Sequence, residues 1–264
     1  MNVLRISGVA SRHFYLYKRS IPLLMEIFFW PVMDLLLWGF ITLYLKEVGR
    51  DLPNLVLFFL GGLILWDILY RSQQGISVTF LQEIWSKNLL NLFVSPLRPG
   101  EFLLGLMSLS VFKLLAAATV TTSLAWLLYS FNIFLLGIAL VPFVINLAVM
   151  GWTIGIVTIS VVLRYGQEAE VMAWGLAFLV QPVSAVFYPV SILPPGLKQI
   201  ALSIPSSYIF EGMRSILATG TFSWPSLLWA TGLNAFYLGL AILLFYRNLN
   251  IVKVKGLLMR GGTE

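Results

Sequence analysis

No cysteine occurs anywhere in these 264 residues, and histidine occurs once, as His13. A disulfide framework and a thiolate metal site are excluded, as is any metal site or triad that needs two imidazoles. Charge is scarce too, at 11% of residues where soluble domains carry about 25%. No GxxxxGK[ST] stretch is present, so the chain has no phosphate loop with which to hold ATP. The opening "MNVLRISGVASRHFYLYKRS" has neither an apolar core nor a small-residue cleavage site, and is expected to stay on the protein rather than leave as a signal peptide. What the chain has in quantity is apolar surface: 59% of residues are hydrophobic, with a mean hydropathy of +0.91. It reads as an all-α integral membrane protein forming a single transmembrane domain.

A helix crosses the hydrocarbon layer in about 20 residues. Six stretches qualify, at roughly 22–45, 54–79, 102–128, 134–163, 171–190 and 225–246. An even number puts both termini on one side, and the basic residues of short loops decide which side. Arg5, Arg12, Lys18, Arg19, Lys87, Arg98, Arg164, Arg247, Lys253, Lys255 and Arg260 fall with the termini, whereas only Lys46, Arg50, Lys198 and Arg214 fall opposite. Both termini are therefore expected in the cytoplasm. The net charge of +6 is then a topology signal, and no nucleic-acid partner is called for.

Charged residues inside spans are costly unless paired or wetted. Asp34, Asp67, Arg71 and Lys113 are of this kind, with Glu26 nearer the cytoplasmic end. Asp67 and Arg71 stand four apart, on one helix face. They read either as an internal ion pair or as a polar lining continued by Gln73 and Gln74.

Three segments lie outside the spans. In residues 1–20, Ile6, Val9, Ala10, Phe14 and Tyr17 share one helical face while Arg5, Arg12 and Arg19 recur every seven residues on another. This predicts an amphipathic helix in the cytoplasmic interface, with arginines at the headgroups, aromatics in the acyl boundary and His13 as an interfacial residue. Between spans two and three, "LQEIWSKNLLNLFVSPLRPGEF" sets Ile84, Trp85, Leu89 and Leu92 against Glu83, Lys87, Asn88 and Asn91, before Pro96 and Pro99 stop the pattern. This is a short cytoplasmic helix, either offered for contact or lying on lipid. Between spans five and six, "FYPVSILPPGLKQIALSIPSSYIFEGMRSIL" is broken by Pro189, Pro194, Pro195 and Pro205. It carries two short helical patterns within about 193–217, neither long enough to span, which fits a pair that dips in from outside and returns.

Taken in this order, these segments resemble the membrane subunits of ABC-2 type ABC transporters, a family of exporter permeases. The progression Tyr188 and Pro189, Leu193 and Pro194, Pro205 and Tyr208, then Arg214 is similar to the family's pattern, as is "SPLRPGEFLLG" after the cytoplasmic helix. The resemblance implies six spans, a cytoplasmic tail over 247–264 and a place in a bacterial plasma or inner membrane. It implies a second permease, commonly an identical copy making a homodimer, and two separate ATP-binding subunits that carry ATP and Mg. Gln82, Glu83, Ile84, Trp85, Lys87, Asn88, Leu89, Asn91 and Leu92 would form the coupling helix. Tyr188, Pro189, Pro194, Pro205, Tyr208 and Arg214 would belong to an outer re-entrant gate. Asp34, Arg71, Gln73 and Gln181 are placed on the translocation path. The cargo would be amphipathic, such as a drug, lipid or glycan, and the chain itself would hold no cofactor and be no enzyme.

Two rival readings remain. A proton-coupled secondary transporter would use Asp34 or Asp67 as its titrating carboxylate. An intramembrane enzyme would need a serine and histidine together within the bilayer, or clustered aspartates, and the chain offers neither pattern.

Overall fold

The computed structural model describes residues 2–48 and 55–256. Arg50, Arg260, the first residue of the predicted second span and the far part of the tail lie outside them. Among the described residues the fold is all helical, with no strand. Ten α-helices follow in order: α1 (Val3–Arg19), α2 (Ile21–Val48), α3 (Leu55–Trp85), α4 (Leu89–Val94), α5 (Pro99–Tyr129), α6 (Leu140–Tyr165), α7 (Met172–Val180), α8 (Pro195–Leu202), α9 (Pro205–Thr219) and α10 (Trp224–Val254). Four of the helical runs are long and apolar enough to cross a membrane: α2, α5, the run Ile133–Tyr165 that ends in α6, and α10.

Helix ends follow local chemistry. Asn2 caps α1 by accepting from the Leu4 amide at 3.0 Å. Proline opens α5, α8 and α9, where its missing N–H costs nothing, and stands within the first turn of α10. The turn after α5 closes on Ser130 in the left-handed region, and α9 ends on Gly220 with φ 70°.

The centre of the bundle is α3, buried nearly all round from Leu60 to Ile84. It has the same 31 residues as α5 and α10, yet it carries Asp67, Arg71, Gln73 and Gln74. Protein rather than lipid surrounds it, so neighbouring helices can satisfy these groups. Against it lies α6, whose Gly151 and Gly155 meet α3 backbone. A Cβ at Gly151 would stand 2.3 Å from the Leu69 carbonyl oxygen, and one at Gly155 3.0 Å from that of Gln73. This is the small-xxx-small approach of membrane helices.

Side-chain amides tie α10 to α6. Asn234 donates to the Asn146 carbonyl at 3.0 Å and to its side chain at 2.9 Å, and Asn248 donates to the Ser160 carbonyl at 2.9 Å. Two apolar cores result. One, around Leu60, Leu69, Phe143 and Phe210, joins the first half of α3 to α6 and α9; the other, around Phe80, Phe102, Ile159 and Phe245, joins its second half to α5, α6 and α10. The two ends of the described chain meet near the start of α5. Asn2 donates to Glu101 at 2.8 Å, and Lys253 lies over the Phe93 ring, which in turn touches Phe102.

Two sequence expectations change. The helix expected over 82–92 is two pieces, because α3 runs on to Trp85 and a turn with Lys87 at φ 53° precedes α4. Burial of Ile84 among Phe80, Leu81 and α6 side chains holds that last turn of α3 in place. The helix expected over 171–190 ends at Val180, continuing only as a 3₁₀ turn to Val183. Its dozen residues rise about 18 Å, less than the ~30 Å hydrocarbon layer. Pro182 and the left-handed Ala185 (φ 55°) turn the chain away before the prolines expected to stop it.

Candidate functional site

A cavity of about 210 Å³ opens between α2, α3 and the end of α7. Asp34 and Trp38 of α2, Asp67 and Tyr70 of α3, and Phe178 and Gln181 at the end of α7 face it. Phe187, from the turn beyond, stacks on Trp38 with centroids 4.9 Å apart and rings 19° from parallel. Across the space, Tyr70 packs on Phe178 at 5.1 Å. None of the residues lining the cavity is basic.

The two carboxylates differ. Asp67 accepts from Arg71 Nε at 2.9 Å, the ion pair their four-residue spacing allows. Arg71 is further held by Gln74 at 3.0 Å and by the Glu26 carbonyl at 3.4 Å. Asp34 forms neither a hydrogen bond nor an ion pair with any described residue, and it is exposed at the mouth of the cavity. Of the four residues placed on a path, Asp34 and Gln181 therefore face one space. Arg71 is set back behind Asp67. Gln73 is elsewhere, fully buried and donating to Ser77 and to the Ala173 carbonyl, both at 2.9 Å. A residue two positions along a helix from Arg71 points to another side, so Gln73 could not continue its face.

At the end of the bundle where α3 finishes, the contacts depart from the sequence reading. His13 is buried, not interfacial, and with Val9 and Tyr17 forms the face of α1 set four residues apart. Its Nε2 lies 2.9 Å from Glu83 Oε1. Glu83, expected on an exposed polar face, is buried with Arg12 at 2.8 Å and Asn88 donating at 2.6 Å. Burial alone would raise its carboxyl, but His13, Asn88 and Arg12 outweigh that and hold it below the ordinary value. Arg5 behaves alike, reaching the Pro96 carbonyl and Glu101 at 3.6 Å. Glu101 is held low by the backbone amides of Arg98 and Asn2. Arg5 and Arg12 of the arginine heptad thus meet acids at the ends of α5 and α3, in addition to any headgroups.

Tyr17 is buried against α3 and α5. Gln82 and Lys113 donate to its hydroxyl, and Lys113 also donates to Thr79 at 3.0 Å. Burial pushes the Tyr17 phenol up, so it stays neutral beside Lys113. Trp85 keeps nearly half its surface exposed while donating to Glu170 at 2.9 Å and stacking on Trp174 of α7 at 6.4 Å. In α4, Leu89 and Leu92 pack on the core, and Asn91 donates to Asn88 at 3.3 Å.

At the other end, the turn 184–190 is strapped to α9. Val190 donates its amide to Glu211 at 2.6 Å, Arg214 pairs with Glu211 at 3.2 Å and reaches the Val186 carbonyl at 3.3 Å, and Ser206 bonds Ser184 at 2.9 Å. Tyr188 donates to the Pro182 carbonyl, and Tyr208 to that of Leu202 at 2.7 Å. Pro189 leads into a short 3₁₀ turn, Pro194 caps α8, and Pro205 begins α9. The sequence reading missed the Glu211 strap and the helix contact at Gly151; a GxxxG spacing in "GWTIG" was the available signal for the second.

Compared with protein-family models and with curated proteins, the chain matches none.

Proposed function

We propose that this chain is the permease subunit of an ATP-driven exporter of the ABC-2 type. In this reading α2, α3, α5, α6, the short α7 with its following turns, and α10 make six passes of a bacterial plasma or inner membrane, with both termini in the cytoplasm. A second permease, most simply an identical copy, completes the pathway, and two separate ATP-binding subunits supply ATP, Mg and hydrolysis. The turn after Trp85 with α4 is the surface those subunits grip. The α8–α9 pair dips in from the outer side as a gate. The cargo is amphipathic.

The observation that carries this reading is the position of two irregular segments at opposite ends of one buried helix. The exposed Trp85 and α4 adjoin the last turn of α3, while α9 packs near its first turns, with Met213 and Leu217 against Gly61. A rod buried along its length can carry a displacement from one end to the other, which an alternating-access device needs.

Asp34 favours a second reading. A carboxylate without a partner on an apolar helix suits a proton-coupled transporter, whereas Asp67 is already tied to Arg71. Vesicles separate the two. Transport in the presence of an ATP-binding subunit and ATP, and none with the chain alone, supports the exporter. Uptake or efflux driven by a proton gradient with no ATPase present would sink it in favour of the second.

A further inference from the structure

The aromatic cavity beside α2 has the chemistry of an ammonium site. Its charge is lopsided: Asp67 is neutralised by Arg71, Asp34 is unpaired, and no basic side chain lines the space. With Asp34 ionised, the cavity holds one negative charge that no lining cation offsets. Its aromatic lining includes the Trp38 and Phe187 stack and the Tyr70 and Phe178 pair, beside the aliphatic Pro31, Leu35, Leu63 and Ile64. Rings attract a cation through their quadrupoles, most strongly where water is excluded, and cages of this kind recognise quaternary ammonium groups.

We infer that this cavity binds the ammonium head of an organic cation, with Asp34 as counter-ion and Trp38, Tyr70, Phe178 and Phe187 as the cage. This rests on the exporter reading in so far as it narrows the cargo to cationic amphiphiles. Size sets what is enclosed. About 210 Å³ is below the ~300–1,000 Å³ of pockets that enclose whole drug-sized ligands. The head enters, and the remainder of the molecule leaves through the open side, where Asp34 and Phe178 are exposed. The same head is carried by soluble amines and by phosphatidylcholine.

The test is equilibrium binding of benzyltrimethylammonium to the purified full chain in dodecylmaltoside, followed by tryptophan fluorescence. Saturable binding is expected, displaced by choline and not by 3,3-dimethyl-1-butanol, which has choline's shape without its charge. Asp34→Asn should weaken binding at least about tenfold, since the counter-ion's charge is removed from contact with the cation. Asp34→Glu should retain binding within a few-fold, and Glu47→Gln, at the exposed far end of α2, should leave it unchanged. Equal displacement by the neutral alcohol, unchanged affinity in Asp34→Asn, or no saturable binding would each overturn the inference. Competition by phosphatidylcholine but not by phosphatidylglycerol would assign the site to a lipid head; competition by neither would assign it to a soluble cation. No ATPase takes part. Ammonium binding in a chain that engages no ATP-binding subunit would keep the site and remove the exporter reading, whereas ATPase coupling without ammonium binding would do the reverse.

Discussion

Glu83 is where burial and charge meet most sharply. A buried carboxylate persists because Arg12, His13 and Asn88 surround it, all supplied by the first helix or by the turn that follows α3. Its carboxyl lies below the ordinary glutamate value of 4.5. A depressed carboxyl contributes stability that is complete above its unfolded value and is lost as pH falls through the folded one. Melting temperature should therefore drop on acidification below about pH 4.5, and Glu83→Gln should flatten that acid limb. At neutral pH the same substitution should cost about 1–3 kcal/mol, because it leaves His13 and the Arg12 contact without their anion. Thermal unfolding in detergent from pH 3 to 7 is the measurement, and an unchanged acid limb would remove Glu83 from the account. Legibility at this scale was uneven. The i,i+4 spacing gave the Asp67 and Arg71 pair, because both residues lie on one helix. It could not give the Glu83 and His13 contact, because that depends on where α1 docks.

Among the elements, α6 against α3 is the tightest approach. Gly151→Ala puts a methyl carbon 2.3 Å from the Leu69 carbonyl oxygen, so the two helices must separate. A loss of about 1–3 kcal/mol is expected, more for Gly151→Leu, while Gly175→Ala, which meets nothing, should be nearly silent. Chemical or thermal denaturation of the three variants checks this. Trp85 belongs to the same scale. Its indole bridges α3 to α7 through Glu170 and Trp174, and it still presents half its surface outward. On the exporter reading, Trp85→Ala should reduce the stimulation of ATP hydrolysis by cargo several-fold while the melting temperature changes little. Equal stimulation in the variant would move the docking surface elsewhere. Pro99, Pro195 and Pro205, which read in the sequence as breaks, instead open α5, α8 and α9. The early end of α7 was not readable in the sequence, because the turn at Ala185 is held by bonds to α9, far along the chain.

At the scale of the whole molecule, contacts run without a break from one end to the other. Trp85 touches Trp174 of α7; Phe178, one turn on, faces the cavity; Ser184 beyond it bonds Ser206 of α9. This is a spatial chain, and coupling along it is a hypothesis to be measured by double-mutant cycles on transport. The orientation has a clean test, since the native chain contains no cysteine. A single cysteine at Lys198 should react with an impermeant maleimide from outside intact cells, and one at Lys87 only after the membrane is opened. The reverse pattern would invert the proposed topology.

Composition together with apolar runs long enough to cross a bilayer marked this as a helical protein suited to lipid, because a chain so poor in charge has too little polar surface to face water. Periodicity and proline placed most helices, since those signals act within a few residues. Only packing decided that Asp34 is left without a partner, that His13 is buried, and that aromatic rings from three distant segments face one space. Each of these depends on which helices stand side by side, and that is settled by the summed fit of glycines, amides and apolar faces across the bundle.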